Sequence, residues 1–251
     1  MESISPIEAI KNGWSLTKSN FIVSLGLILG YGVLSTLLGL LPADGIVGGV
    51  CQLLSFVVSI VWSLGITKLS IEVVDGEEPR FGVFSEVMPR LIHFALMTIL
   101  MSIILLVPFF VIFSIGVVTS GVSFTLDYSS NPMAIFELLS DCGLWLLVAL
   151  IPVIYMSLRF IFAPYIFVDK EAGVMESLRM SWSATAPIQG KIFIFMLLSL
   201  VVALVGFLCL IVGLFVSSIV MIYAQATLYR QVFSRGIQDP LLVDNANVVV
   251  G

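Results

Sequence analysis

Residues 160–182, FIFAPYIFVDKEAGVMESLRMSW, decide how this chain folds. The apolar run ends there at Asp169, and a short amphipathic segment begins at about Gly173 and continues to Gln189. A long apolar run followed by a short amphipathic helix is typical of a helix that leaves a membrane and continues along its surface. The same pattern occurs more loosely at two other places, so it predicts the unit from which the chain is built.

The composition indicates an integral membrane protein. Of the 251 residues, 59% are hydrophobic and 11% are charged, whereas soluble domains carry roughly 25% charged residues. A soluble protein of this length could not remove so many apolar side chains from water, because every folded domain keeps a large accessible surface. We therefore expect an all-α polytopic membrane protein.

Six apolar stretches are long enough to cross a bilayer, since about 20 apolar residues span its hydrocarbon core. The predicted spans are residues 21–41, 46–71, 91–115, 144–168, 191–211 and 214–235. Together with the residues that precede them they form one predicted membrane domain, residues 1–235, and a polar tail follows over residues 236–251.

The connections between the spans follow from proline, glycine and polar residues. Pro152 and Pro164 interrupt the fourth span, and a turn near residues 212–214 is expected between the last two spans. Residues 116–141 are predicted to form a polar loop with a short helix around residues 133–139.

The placement of the basic residues predicts the orientation. Ten of the eleven Lys and Arg side chains fall in loops or span ends on one side of the predicted bundle. The opposite connections, residues 42–45, residues 116–141 and the turn near Gly213, contain none. Basic residues are enriched on the cytoplasmic side of membrane proteins, so both termini are predicted to be cytoplasmic. Adding or removing one span would scatter these charges over both faces.

A short interfacial helix is predicted before each pair of spans. The first follows the helix start Ser5-Pro6, and the others cover residues 82–90 and 173–189. These segments are too polar to span, but each carries apolar side chains that can lie among the lipid head groups. The predicted interfacial anchors are Trp14, Trp182, Asp169, Glu176 and Arg179.

Two pairs of matching segments indicate an internal repeat. Glu8, Lys11, Trp14, Ser15 and Thr17 match Glu176, Arg179, Trp182, Ser183 and Thr185 at one constant offset. Residues 73–77 (VVDGE) resemble residues 167–171 (FVDKE), and each of these segments ends a span. The chain therefore reads as three units, each an interfacial helix followed by a helical hairpin. Such repeats are common in transporters, whose sites lie between them, but duplicated hairpins that simply pack as a bundle give the same pattern.

The repeat also carries a family resemblance. Ala163-Pro164, Val168-Asp169 and the segment ESLRMSW at residues 176–182 resemble the signature of a broad group of bacterial inner-membrane proteins. That group includes the YciC-like proteins and the membrane domain attached to some glycerophosphodiester phosphodiesterases. The resemblance implies a six-span helical protein of the bacterial cytoplasmic membrane, and it does not imply an enzyme. The stand-alone members have no established activity, and the fused enzymes hold their chemistry in a separate soluble barrel for which this chain has no room.

Arg159 is the residue that most strongly suggests a site inside the membrane. It lies about nine residues from the cytoplasmic end of its span, roughly 13 Å along the helix, and a charge at that depth is costly. Its candidate partners are Tyr155, Tyr223, Gln225 or a lipid phosphate. Alternatively, Pro164 ends the helix early and Arg159 extends to the head groups.

Two other patterns concern helix packing. Tyr223, Gln225, Thr227 and Tyr229 make the last span unusually polar. These side chains could line a pathway or hydrogen-bond to neighbouring helices. Gly26 and Gly30, together with Ser35 and Gly39, permit close helix approach in the first span, either within the chain or between molecules.

No motif of known catalytic or metal chemistry is present in the sequence. Cys51, Cys142 and Cys209 form no CxxC pair, and His93 has no HExxH-type neighbour. The cluster of Asp169, Glu171 and Glu176 is compatible with a catalytic carboxylate pair or with a solvated interfacial helix, and we expect the solvated helix. We therefore expect no metal, no cofactor and no nucleic-acid partner.

Two functional hypotheses follow. The first is a non-enzymatic membrane protein that organises lipid or a membrane partner, which includes a second copy of the chain. The alternative is a transporter of a small solute or lipid, with a site between repeats near Arg159 and the last span.

Overall fold

The computed structural model describes residues 4–41, 44–120 and 134–233, and every regular element in these ranges is helical. The α-helices are α1 (Pro6–Ser19), α2 (Phe21–Gly39), α3 (Gly45–Val74), α4 (Val83–Glu86), α5 (Leu91–Ser120), α6 (Ala134–Phe160), α7 (Ala163–Asp169), α8 (Val174–Thr185), α9 (Gln189–Leu208) and α10 (Leu210–Phe233). Short 3-10 turns, Met88–Arg90 and Ala186–Ile188, lead into α5 and α9.

Six helical segments are long and apolar enough to cross a membrane. They centre on α2, α3, α5, α6 with α7, α9 and α10. The prediction of an all-α polytopic membrane protein is confirmed, and the chain is a multi-pass integral membrane protein.

Prolines shape the fourth span differently from the prediction. Pro152 lies inside α6 without ending it. The helix stops at Phe160, and Pro164 lies in the first turn of α7. A proline is tolerated at a helix start because the first N–H groups of a helix have no intrahelical partner. The span is therefore two helices with a break at residues 161–162.

Two connections also differ from their predicted positions. The turn between the last two spans lies at Cys209, before the predicted residues 212–214. Gly206 and Gly213 explain this position, because a Cβ on Gly213 would collide with the carbonyl of Gly206. The helix predicted around residues 133–139 is the beginning of α6. The remainder of that loop from residue 121, residues 42–43 and the tail 236–251 lie outside the described residues.

The helices pack most tightly at the end of the bundle where α2 and α5 begin and where α3, α7 and α10 end. Buried side chains at this end include Leu27, Leu64, Phe94, Leu158 and Tyr229. In the opposite halves of the same helices, large apolar side chains are exposed, among them Leu37, Val50, Val111 and Leu147. The three hairpins are therefore joined at the end that carries the basic residues.

The short helices connect neighbouring hairpins in a circular order. Helix α4 packs on α3, α8 packs on α6 and α7, and α1 packs on α10. The inward face of α1 consists of Ala9, Gly13 and Thr17, whereas Trp14 is exposed. Gly13 allows the closest approach, because a Cβ there would lie 2.7 Å from the Val220 carbonyl oxygen. Helix α1 is thus held against the last span, α10.

Candidate functional site

Arg159 lies on an aromatic surface formed by α6 and α8. Its Nε and Nη2 donate hydrogen bonds to the Tyr155 hydroxyl at 3.2 and 3.0 Å, and its Nη1 donates to the Trp182 carbonyl at 3.3 Å. The guanidinium also stacks 4.8 Å from the centre of the Trp182 ring and 5.3 Å from that of Tyr155. Arg159, Tyr155 and Trp182 are called the arginine platform below.

The backbone under this platform is anchored by α8. The Arg159 carbonyl accepts hydrogen bonds from Ser181 Oγ at 2.8 Å and from Thr185 Oγ1 at 3.3 Å. The last carbonyls of a helix have no intrahelical partner, so the two hydroxyls satisfy a group that the end of α6 leaves available. The small buried residues of α8 therefore fix the height and direction of Arg159.

The structure does not bring the other candidate partners to Arg159. The Tyr223 hydroxyl hydrogen-bonds to Ser24 Oγ at 2.6 Å, in a buried contact between α10 and α2. Gln225 is half-buried on α10 and makes no hydrogen bond to Arg159. Of the residues proposed from the sequence, Arg159 and Tyr155 are together, and Tyr223 has a separate role in helix packing.

The predicted interfacial anchors occupy different environments. Trp14 and Trp182 are exposed on α1 and α8, as is Arg179. Glu176 accepts a hydrogen bond from the Gly173 N–H at 3.3 Å and so caps the start of α8. Asp169 takes part in an ion cluster that the sequence did not predict.

That cluster joins the ends of three spans. Arg230, in the last turn of α10, binds both carboxylate oxygens of Asp75 at 2.8 and 2.5 Å. It also binds Asp169, with Nη1 at 2.9 Å from Oδ2 and Nη2 at 2.8 Å from Oδ1. The Tyr229 hydroxyl donates to the same Asp169 at 2.6 Å. Asp75 and Asp169 are the matching positions of segments 73–77 and 167–171, so the matched segments meet at one arginine.

A polar cavity of about 300 Å³ lies beside this cluster, and we call it the junction cavity because all three hairpins line it. Its charged lining residues are Lys68, Glu72, Asp75, Glu86, Arg90, Asp169, Glu171 and Arg230. Leu64, Ile71, Val87 and Phe167 form apolar parts of its wall. The sequence places opposite charges at the ends of several spans, which indicates that these ends could pair. It does not show which span ends are neighbours in the fold.

The basic residues of the junction cavity are engaged by protein acceptors. Lys68 binds Glu86 and lies 3.9 Å from Glu72. Arg90 donates to the carbonyls of Phe167 and Glu171 at 3.0 and 2.5 Å, where α7 ends, and stacks on the Phe167 ring. A cation at a helix C-terminus satisfies carbonyls that have no intrahelical partner.

A second cavity, of about 430 Å³, is almost wholly apolar and lies between α2, α3 and α4. Tyr31 and Trp62 stack in its wall with ring centres 4.5 Å apart. Gly26 and Gly30 line it as well, and a Cβ on either would meet nothing within 4 Å. Gly26 and Gly30 therefore do not serve for close approach to another helix within the described ranges. Arg159 and Gln225 line neither cavity.

Comparison of the chain with protein-family models, with curated proteins and with solved structures found no match. The family resemblance of residues 163–182 therefore stays a prediction. Within the residues that the structure describes, no group of three or more His, Cys, Asp or Glu side chains could hold a metal ion.

Proposed function

We propose that this protein is a non-enzymatic integral membrane protein that organises lipid at the cytoplasmic surface of a bacterial inner membrane. The observation that carries the proposal is the environment of Arg159. The two rings that hold its guanidinium are themselves accessible, with Tyr155 39% and Trp182 38% exposed. The arginine platform thus lies on the outside of the bundle, where lipid surrounds a membrane protein.

The chemistry of the platform fits a phosphate head group. A guanidinium has more N–H groups than its contacts with Tyr155 and Trp182 use, and its planar fork matches phosphate oxygens. Trp and Tyr are enriched at membrane–water interfaces, where their rings are apolar and their polar atoms face the head groups. The aromatic contacts hold Arg159 in place, so little side-chain entropy is lost when a head group binds.

The proposed orientation rests on the placement of charge. The tightly packed end of the bundle carries the basic residues Lys68, Arg80, Arg90 and Arg230. The basic side of a membrane protein faces the cytoplasm, which supports cytoplasmic termini. The bacterial inner membrane is what the family resemblance implies.

A repeat relating the first and third units is supported by what α1 and α8 bury. The buried small residues of α1 are Ala9, Gly13 and Thr17, and the offset that matches the two sequences places them on Ser177, Ser181 and Thr185. These residues of α8 are buried as well. The tryptophans Trp14 and Trp182 lie on the exposed sides of both helices. Equivalent residues of the two short helices are therefore buried against the bundle, and equivalent residues are exposed on the opposite face.

Transport of a small solute or lipid is a second candidate, and the junction cavity favours it. Transporter sites lie between repeats, and this cavity is lined by all three hairpins. Its position near Arg230 differs from the site near Arg159 that the sequence suggested.

The lipid-organising proposal is tested by the variant Arg159→Leu. We expect the purified variant to retain less anionic phospholipid than the wild type, because a basic side chain near an anionic surface contributes about 1 kcal/mol. Lipid retained per protein is measured by native mass spectrometry. Lys11→Leu is the matched control, since it removes an exposed basic charge from α1 and leaves the platform intact.

Proteoliposomes made with both variants complete the test. Lipid organisation predicts no solute flux from the wild type. A solute flux from wild-type proteoliposomes above that of protein-free liposomes would contradict the proposal, and because the junction cavity is not lined by Arg159, transport through it would persist in Arg159→Leu.

A further inference from the structure

The cavity between α2, α3 and α4, called the apolar cavity below, reaches the middle of the membrane. Tyr31 in its wall is the eleventh of the 19 residues of α2. That helix is about 28 Å long, nearly the thickness of the hydrocarbon core. Trp62, which stacks on Tyr31, lies twelve residues before the end of α3 at Val74. Tyr31 and Trp62 are therefore about 15 Å from the head groups on either side.

Two hydrogen-bond donors in this wall have no acceptor. Tyr31 and Trp62 are the only residues lining the cavity whose side chains carry an O–H or N–H group, and neither group is hydrogen-bonded to a residue that the structure describes. Within the described ranges the buried polar side-chain atoms without a partner belong to Glu72 and Ser199. The Tyr31 hydroxyl and the Trp62 N–H are therefore accessible from outside the chain. In hydrocarbon an unpaired donor is costly, so a ligand with an acceptor would gain affinity here.

The aromatic rings of the cavity form a stack of three. The Trp62 ring lies between Tyr31 and Phe84, with ring centres 4.5 and 5.8 Å apart and planes inclined by 9° and 21°. Gly65 allows Phe84 to lie this close to α3, because a Cβ there would collide with the Phe84 ring. Both end rings, Tyr31 and Phe84, line the cavity. A planar ring of a ligand can extend such a stack.

We propose that the apolar cavity binds an isoprenoid quinone, with the Tyr31 hydroxyl as the donor to one of its carbonyl groups. A quinone is uncharged and carries two carbonyl acceptors, so it can bring an acceptor to the middle of the hydrocarbon core. The hydroxyl hydrogen of Tyr31 can rotate toward that acceptor. A volume of about 430 Å³ admits the ring and the beginning of its tail. The rest of the wall is apolar, as the tail is, and includes Leu34 and Val57.

A phospholipid fits this position less well. Its phosphate and ester groups are held at the membrane surface, about 15 Å from Tyr31, and its acyl chains carry no acceptor. The inference also goes beyond the lipid contact proposed for Arg159, because Arg159 does not line this cavity. Failure of one proposal therefore leaves the other standing.

The first test uses the full-length protein in nanodiscs, titrated with decylubiquinone. Binding is measured as the saturable part of tryptophan fluorescence quenching, to which Trp62 in the cavity wall contributes. Gly26→Leu is expected to abolish saturable quenching, because its side chain fills the cavity. The variant should fold, since a Cβ on Gly26 meets nothing within 4 Å.

Gly49→Leu is the matched control. Gly49 also has open space at its Cβ position, but it lies on α3 outside the cavity. Its variant is expected to bind decylubiquinone as the wild type does. Tyr31→Phe keeps the ring and removes the hydroxyl, so it should weaken binding roughly two- to tenfold, the contribution of one neutral hydrogen bond. Equal binding by Gly26→Leu and the wild type, or no effect of Tyr31→Phe, would overturn the proposal.

A second test needs no variant. Decylbenzene has the ring and tail of decylubiquinone without the carbonyl groups, so it cannot accept from Tyr31. We expect the wild type to bind it at least two- to tenfold more weakly, measured by competition with decylubiquinone. Equal affinity would identify a site for any apolar chain, and no saturable binding would identify no site. A dimer in detergent that Gly26→Leu converts to monomer would show that a second copy covers the cavity. Each of these three results would overturn the proposal.

Discussion

Helices α2 and α10 are both membrane spans, but the protein surrounds them very differently. In α10 half of the apolar window, 50%, is buried, whereas in α2 the buried share is 11%. The more buried span is the more polar one, since α10 carries Tyr223, Thr227 and Tyr229. In a membrane an apolar side chain is as well placed in lipid as in protein, so polar groups and close backbone contacts decide which helices pack. Hydropathy locates both spans, but it does not show which of them is surrounded by other helices.

Glycine shows the same difference at atomic scale. Gly13 of α1 lies against the α10 backbone, where a Cβ would approach Val220 and Ala224 to less than 3 Å. Gly26 and Gly30 of α2 have open space at the same position. Gly13 is required by its contact with α10, whereas no residue that the structure describes requires a glycine at positions 26 and 30.

The largest expected effect concerns the ion cluster at the end of α10. Arg230→Met is expected to lower the free energy of unfolding by about 2–3 kcal/mol, because it leaves Asp75 and Asp169 facing each other without their shared cation. Partial solvent exposure keeps the loss below that of a fully buried pair. The measurement is thermal unfolding in detergent, followed by circular dichroism.

Arg80→Met is the control for this prediction. Arg80 also binds several carboxylates, but its side chain is 55% exposed. Exposed pairs contribute about 0–1 kcal/mol, so its variant should unfold nearly as the wild type does. Equal losses in the two variants would show that α10 is not held by its polar contacts.

The next effect in size is that of Gly13→Ala, which tests the close contact of α1 with α10. The added methyl group would lie 2.7 Å from the Val220 carbonyl oxygen and 2.8 Å from the Ala224 nitrogen. Both are backbone atoms that cannot rotate away, so overpacking should cost about 1–3 kcal/mol of unfolding free energy. Ser15→Ala, on the exposed side of the same helix, should leave the stability unchanged. If both variants unfold alike, α1 does not pack on α10.

The sequence predicts the features that depend on local spacing. The six spans follow from the lengths of apolar runs, and Tyr155 meets Arg159 because the two residues are four apart on one helix. The contact of Arg230 with Asp75 joins residues 155 positions apart. The periodicity of the sequence cannot predict such a contact, because the contact depends on which hairpin ends become neighbours in the fold. The sequence identified Asp75 and Asp169 as equivalent, but only the structure shows that they share a partner.

The smallest effect is expected at Gly30, and this prediction tests whether α2 is free of close contacts, in contrast to α10. Gly30→Ala adds a methyl group that meets nothing within 4 Å. Alanine is also the better helix former, so the stability should stay the same or rise by up to about 1 kcal/mol. Unfolding and molecular mass in detergent are measured together. A loss of stability accompanied by a change in mass would mean that α2 is covered by a second copy of the chain. Helices α2 and α10 would then both be packed, one between molecules and the other within one.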